Sequence, residues 1–461
     1  MSIAVKQQES KTVLMIDYYF PPLAGAGVHR TLGYLRHLAD FGWSPIVLTA
    51  RSGEHNFYDP SLLQWLPAGL LIKRTRSIEP VRLLRQVLSR GSRDQYARSD
   101  QAGASSGRSS ARLARLGSWM LFPDRHIGWL PFAVWGGTGF RSSAVDAIYS
   151  TSTAVTSHLV AYILKALWRK PWVADFQDPW TEEYDFAFPS PLHRRMARVL
   201  ERLIVTHADR VTMTTQPMRE IFLRKYPAIG HEKFQVIPMG FDPQAIAGIE
   251  GTSRERFTIT HFGNFYGTRS PGPFLQALGA CVELESTLRE RTEVQFFGAF
   301  EPKMRDLAET LIAQHGLGGV VRLLPTVTYR CGMQNLANSH VLLLVTDSGG
   351  CGRNLVPSKI FEYFAIGRPI LALTPEGAAA DLVHEAKAGL VVRPDDVNAI
   401  RDAILTLFRQ WRAGTLARPS NSEFIATCTW RARTAQLTAT FQAAINPPAA
   451  IGDLARSEGT P

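Results

Sequence analysis

Short runs of β-branched and other apolar residues alternate along the chain with stretches patterned at helical period, and the alternation occurs twice. In the first half VLMI (13–16), PIVLTA (45–50), DAIYSTS (146–152), WVADF (172–176), RVTMTT (210–215) and FQVIPMG (234–240) read as buried strands. Between most of them the apolar spacing is helical, as in Val28, Leu32, Leu35, Leu38 and Ala39. In the second half FTITHFG (257–263), VQFFG (294–298), VVRLLP (320–325), HVLLLVT (340–346), PILALTP (369–375) and GLVVRP (389–394) repeat the scheme. Strand, helix, strand in series, with strands apolar on both faces, means parallel sheets covered by helices. The expected fold class is therefore α/β, with two doubly wound, Rossmann-like parallel-sheet domains facing a cleft.

The Gly/Pro-bearing stretch PMGFDPQAIAGIEGTSRE (238–255) is the expected boundary. It leaves an N-terminal domain over 1–240 and a C-terminal domain over 256–420. A late helix over 420–445 is expected to pack back on the first domain, and the tail 446–461 to be disordered. With 461 residues, 45% hydrophobic and 20% charged, the composition excludes a disordered, collagen-like or disulfide-stapled chain.

Charge changes the picture more. The 51 Lys and Arg exceed the 40 Asp and Glu, a formal +11, which draws phosphate in some form. Residues 73–115 alone carry 11 basic and 3 acidic side chains, whereas 256–461 carry 20 and 18. The surplus thus centres on a basic insertion, 77–118, whose middle, SDQAGASSGRSS, is of low complexity. The four cysteines, Cys281, Cys331, Cys351 and Cys428, form no CxxC pair and suit a reducing compartment, with no metal site expected. MSIAVKQQESK has no apolar h-region, and the long uncharged stretch 147–164 holds six Ser/Thr and a His. A cytoplasmic protein is expected, without a membrane-spanning helix.

Four loops after strands carry candidate chemistry. In DYYFPPLAGAGVHR (17–30), Gly25 and Gly27 precede a helix start that suits a phosphate or a hydroxyl-rich ligand, and Arg30 adds a charge one turn in. A plain βα turn accounts for the same glycines. After VADF, Asp178 and Trp180 pair a carboxylate with a flat aromatic face, as sugar sites do, and Glu182, Glu183 and Asp185 follow; an acidic solvated loop reads equally well. In GNFYGTRSPGP (263–273), Arg269 lies before a helix, a good clamp for pyrophosphate unless it is a plain surface Arg. In SGGCGRNLVPSKIFEYFAIGRPILAL (348–373), Ser358 and Lys359 fall in a first helical turn after Pro357, and Glu362 lies one turn later on the same face. A hydroxyl and an ammonium serve two phosphates there, with a carboxylate in reach of a ribose; in isolation a surface face of Ser, Lys and Glu is the plainer account. His158, on the apolar helix TSHLVAYIL, is a catalytic candidate or a buried core histidine. No D-x-D triplet offers a carboxylate pair for a metal-bound diphosphate.

Together these loops resemble the family 4 glycosyltransferases of the GT-B fold. PPLAGAGVHRTLGYLRHLADFGWSPIVLT, VADFQDPW, VIPMGFD, FGNFYGTRSPGPFLQAL and VPSKIFEYFAIGRPILALTPEGAAADLV match family blocks in order, over roughly 11–445. The resemblance implies sugar transfer from a nucleotide diphosphate donor to an acceptor, with retention at the anomeric carbon and without a bound metal or other cofactor. It puts Gly263, Asn264, Arg269, Asn354, Ser358, Lys359 and Glu362 at the donor. It puts Arg269 and Lys359 on the departing diphosphate and Glu362, second glutamate of the E-x7-E signature, on the ribose; Asp178 and His158 join them as catalytic candidates. Two positions depart from the pattern: the first glutamate is Asn354, and the usual Gly-Arg reads Gly263–Asn264. The FGNFYGTRSP block and VPSK helix also resemble a subgroup linked to surface-polysaccharide assembly.

The basic insertion then gains a role. VRLLRQVL (81–88) and ARLARLGSWMLF (111–122) set Leu, Trp and Phe opposite Arg at helical spacing, which suits an anionic membrane surface or an ordinary packed helix pair. The expected partners are a nucleotide sugar and a glycan or lipid-linked acceptor at the inner membrane face, with no nucleic acid. The alternatives are another GT-B enzyme, such as a nucleotide-sugar epimerase, and a catalytically weak GT-B scaffold.

Overall fold

The computed structural model describes residues 10–23, 26–51, 58–78, 122–152, 154–182, 188–252 and 254–447. It comprises two compact units, one of Met1–Thr214, Ile221–Ile237 and Thr434–Pro461, the other of Thr215–Glu220 and Pro238–Arg433.

The first unit is built on a seven-stranded sheet of β1 (Lys11–Ile16), β2 (Trp43–Ala50), β3 (Leu71–Thr75), β4 (Ala147–Ser152), β5 (Trp172–Phe176), β6 (Arg210–Met213) and β7 (Phe234–Val236). The order is β3-β2-β1-β4-β5-β6-β7, and every pairing is parallel. Helices α1 (Ala26–Leu35), α2 (Leu130–Thr138), α3 (Thr156–Trp168) and α4 (Pro191–His207) supply crossovers. Helix α5 (Gln216–Lys225) is divided between the two units. Val13–Ile16 and Trp172–Phe176 are buried throughout, as a strand covered on both faces requires.

The second unit holds β8 (Phe257–Phe262), β9 (Thr292–Phe297), β10 (Val321–Leu324), β11 (Val341–Val345), β12 (Ile370–Leu373) and β13 (Gly389–Val392). Their order is β10-β9-β8-β11-β12-β13, again all parallel. Its longer helices are α6 (Gly272–Leu284), α7 (Thr287–Arg291), α8 (Pro302–Gln314), α9 (Tyr329–Ala337), α10 (Lys359–Ile366), α11 (Ala378–Glu385), α12 (Val397–Arg412) and α13 (Ser422–Thr427). Phe257, Phe274, Phe296 and Phe408 are buried in one core between sheet and helices.

Each sheet reverses its strand order once, between β1 and β4 and between β8 and β11, and ligands of such sheets bind at the strand ends beside that reversal. In the second unit the loops there are the two that carry Arg269 and Lys359.

The final helix, α14 (Trp430–Ile445), belongs to the first unit from Thr434 onward. Phe441 packs 4.9 Å from the Trp43 ring, and Lys11 Nζ donates to Gln442 Oε1 at 2.7 Å. Two strands depart from expectation. β3 was absent from the sequence pattern because LIKRT is an edge strand, with no fully buried residue and two cations. β7 stops at Val236, before Pro238, which has no N–H for a ladder. The basic insertion beyond Ile78, its amphipathic segments 81–88 and 111–121, and the tail beyond Pro447 lie outside the described residues.

Candidate functional site

The second unit assembles its site from two loops and one helix. After β8 the chain is stitched to the loop after β9: Gly263 N donates to Phe297 O (2.7 Å), Phe265 N to Ala299 O (3.0 Å), and Ala299 N to Asn264 Oδ1 (2.9 Å). Asn264 therefore shapes the loop with the very oxygen that a Gly-Arg sequence lacks. Gly298 is needed in this seam, because a Cβ there would lie 2.2 Å from Gly263 O.

Gly263 also opens a notch. A Cβ on it would stand 1.7 Å from Lys359 Nζ and 3.3 Å from His261 Nε2. The ammonium thus lies directly over the glycine, with the imidazole nitrogen near the same point. Lys359 makes no hydrogen bond or ion pair with any described residue. Burial, and secondly the Arg269 guanidinium, push its amine down to about 8. His261 is fully buried and donates Nδ1–H to Leu343 O (2.9 Å), so its unpartnered Nε2 is a pure acceptor. Burial pushes this imidazole down to about 3, with Lys359 adding to the effect, and keeps it neutral.

Arg269 is half committed. Its Nη2 donates to Asp347 Oδ2 (3.0 Å) and its plane lies 5.0 Å from the Tyr266 ring, while its buried Nε has no partner. Glu362, one turn into α10, is part-exposed; burial pushes its carboxyl up to about 7 against the pull of Lys359. Ser358 precedes α10 without capping it, and Asn354 is part-exposed, its backbone oxygen taking a hydrogen bond from Thr215 Oγ1 (2.8 Å). The structure thus gathers Gly263, Arg269, Lys359 and Glu362 in one neighbourhood. Sequence reasoning missed Asp347 and His261. A polar residue at a doubly covered strand position, as in FTITHFG, was the available signal for the second.

The first unit corrects two expectations. Arg30 does not face a ligand: it is wholly buried, and its Nε and Nη2 donate to Asp175 Oδ2 (2.8 Å) and Oδ1 (2.7 Å). Tyr149, Thr151 and Thr212 donate to the same carboxylate, so Arg30 is the counter-ion of a buried charge. His158 is likewise wholly buried, 4.8 Å from the Phe176 ring. Trp172 Nε1 donates to Ser150 Oγ (2.8 Å), which also hydrogen-bonds His158 Nδ1 (2.7 Å), and burial pushes the imidazole down to about 3. Such a ring stays neutral at physiological pH, which makes it a poor base.

The remaining candidates spread out. Gly27 sits inside the first turn of α1 rather than before it, and Gly25, Glu183 and Asp185 lie outside the described residues. Asp178 is exposed after β5, beside buried Gln177 and Trp180. Its loop is tied down by Glu201, which accepts from Thr181 Oγ1 (2.8 Å), Tyr226 OH (2.6 Å) and Lys225. Among the described residues no three or more His, Cys, Asp or Glu gather as a metal site, and no helix is long and apolar enough to cross a membrane.

Two family models match the chain: a glycosyl transferase 4-like domain over residues 25–240, and glycosyl transferases group 1 over 256–410. No curated protein sequence gives a significant match. Solved structures align over nearly the whole chain. HepE of Anabaena, crystallised with UDP and glucose, is 16% identical, with a TM-score of 0.60 over 94% of this chain and 100% of its own. A glycosyltransferase from Rickettsia africae is 12% identical at TM-score 0.62, covering 96% and 100%. The lipopolysaccharide outer core galactosyltransferase WaaB is 11% identical at 0.54, covering 94% and 99%. At such identities the likeness establishes the fold, two Rossmann-like domains of GT-B type.

Proposed function

The chain belongs to the family 4 glycosyltransferases of the GT-B fold, and we propose that it moves a sugar from a nucleoside diphosphate donor to a glycan or lipid-linked acceptor, with retention at the anomeric carbon. The observation that carries this reading is Lys359, an ammonium without a partner among the described residues, set over Gly263 and depressed by burial and by a second cation, Arg269. Two like charges held together in part-buried surroundings are costly in the empty protein, and a diphosphate between them relieves the cost. The Ser358 hydroxyl and the positive dipole end of α10 add to the same cradle. Glu362, when ionised, accepts the paired hydroxyls of a ribose.

In the transfer, the acceptor oxygen bonds to the anomeric carbon as the bond from that carbon to the diphosphate oxygen breaks. The acceptor proton passes to the departing phosphate, on the face the acceptor enters. Negative charge grows on that phosphate, and pre-placed cations stabilise it most in the transition state. Arg269 and Lys359 supply two such charges, and the reading assigns no metal to the step. Asn354, where the family pattern has glutamate, meets the donor sugar through an amide. HepE, solved with UDP and glucose, and WaaB, a lipopolysaccharide outer core galactosyltransferase, support a nucleotide donor and a cell-envelope acceptor, which the reading places at the cytoplasmic membrane face.

Calorimetric titration with UDP, GDP, ADP and their sugars tests the donor. Binding to one nucleotide family and slow release of free sugar are expected. No binding to any of them overturns the reading, and binding without sugar release or transfer points to a scaffold. The anomeric configuration of the product, read by NMR, tests retention.

The titrations of the site predict its pH dependence. Glu362, raised to about 7, is ionised above that pH, and Lys359, lowered to about 8, is charged below it. Both charged forms are needed, so donor affinity is expected to peak between about pH 7 and 8 and fall tenfold per unit on either side. In Glu362→Gln the acid limb disappears while the alkaline limb stays. The same substitution should stabilise the empty protein. A carboxyl raised from 4.5 makes the fold lose stability as pH climbs from 4.5 to about 7, and an amide avoids that loss. At pH 8 Glu362→Gln is expected to gain about 1–2 kcal/mol in urea unfolding, and to show no gain at pH 4.

A further inference from the structure

Helix α4 carries an outward face that the described residues leave largely exposed. It starts at Ser190, whose hydroxyl caps it, and Pro191, and it buries His193, Ala197, Glu201, Ile204 and Val205 at helical spacing. On the opposite side Leu192, Met196 and Val199, spaced four and three apart, are 57%, 41% and 63% exposed. Arg194, Arg195, Arg198 and Arg202 are exposed among them. Arg194 lies 5.9 Å over the Phe188 ring, and the other three have no ion pair or hydrogen bond with any described residue. The one acid of the helix, Glu201, is turned inward, 1% exposed, and held by Thr181, Lys225 and Tyr226.

This face is unfavourable for a helix in plain water. Arg195, Arg198 and Arg202 repel at three- and four-residue spacing, where a glutamate would attract. Three aliphatic side chains stand in one exposed ridge, and apolar area of that kind is covered when a partner is present. The partner must offer a dense layer of negative charge with apolar material just beneath it. Arginine stems lie along apolar surface and lift their heads to phosphate, while Leu192, Met196 and Val199 reach below. We propose that the outward face of α4 is a lipid-contact surface that seats the first unit on an anionic bilayer. It lies outside the 81–122 segment, and it rests on the proposed membrane-side acceptor only for its purpose.

Flotation of the full chain with vesicles tests it, using phosphatidylcholine alone and with 30 mol% phosphatidylglycerol as about equal to an anionic leaflet. The intact chain should float with the anionic vesicles. Arg195→Gln/Arg198→Gln/Arg202→Gln should partition about 100-fold more weakly, from three charges each worth about tenfold or less. Leu192→Ser/Val199→Ser should weaken binding to the same vesicles by about tenfold or more. Both variants alter only outward side chains, so UDP titration should match the intact chain; a UDP-binding failure shared by the intact chain would strike the donor reading and leave this one standing. Unchanged flotation of both variants overturns the proposal and assigns the membrane to 81–122. Loss of a dimer in Leu192→Ser/Val199→Ser, with no lipid binding by any form, also overturns it in favour of self-association.

Discussion

Replacing Arg30 with methionine is expected to lower the unfolding free energy by about 3–5 kcal/mol at neutral pH, because it strands a buried carboxylate. Asp175 lies at the centre of the first sheet, wholly buried, and burial alone would push its carboxyl up. The Arg30 fork, with Thr212 and Thr151, outweighs that and holds it below its ordinary value. In the intact protein this pair adds stability above pH 4 that is lost as the carboxylate protonates in acid. Without the cation the balance reverses, the carboxyl rises, and each step up in pH costs the fold more. The deficit in urea melts should therefore be small at pH 4 and full at pH 8. Arg30→Met/Asp175→Leu should recover much of the loss, since the buried charge goes with its partner. Normal stability together with impaired sugar transfer in Arg30→Met would instead return Arg30 to the ligand-binding role that its sequence position invites.

That invitation explains how far the sequence carries. The alternation of apolar strands and helical stretches revealed both parallel sheets, because strands covered on both faces leave no polar positions to confuse the pattern. β3 escaped it because an edge strand is covered less and tolerates Lys73 and Arg74. At the sites the limit is different. Gly263, Arg269, Lys359 and Glu362 were legible because strand-end loops and a helix start declare where they are. Arg30 occupies a comparable position in the chain, yet its helix turns it into the sheet, where Asp175 waits 145 residues later. A cation beside a loop looks the same in sequence whether its partner is a ligand or a distant carboxylate. His261 and Asp347 were illegible for the same reason: what matters is the Leu343 carbonyl that fixes one and the guanidinium that binds the other.

A single methyl group at Gly263 should separate the notch from its charge. The Cβ of Gly263→Ala would occupy the position of the Lys359 ammonium, 1.7 Å from Nζ and 2.6 Å from Cε. Lys359 ends in a flexible chain, so the ammonium moves aside, but Gly263 sits at φ +159°, where any side chain strains the backbone as well. Urea melts of the variant therefore accompany the titration, and UDP affinity is compared on folded protein. His261 Nε2 would also lie 3.3 Å from that Cβ, a tight contact with a fully buried ring. UDP affinity is expected to fall about 10–100-fold, the worth of one charge-assisted phosphate contact. Lys359→Met should lose as much, and Gly263→Ala/Lys359→Met no more than either alone, since both remove one interaction. The alanine variant should also relax its lysine. An ammonium displaced toward water is freed from burial and from Arg269, so its pKa climbs from about 8 toward 10.5, and the alkaline limb of UDP binding disappears because the displaced ammonium no longer meets the diphosphate. Additive losses in the double variant, or an alanine variant that binds UDP as the intact chain does, would mean that Lys359 reaches the diphosphate from elsewhere or not at all. The donor site would then have to be rebuilt around Arg269 and Asp347.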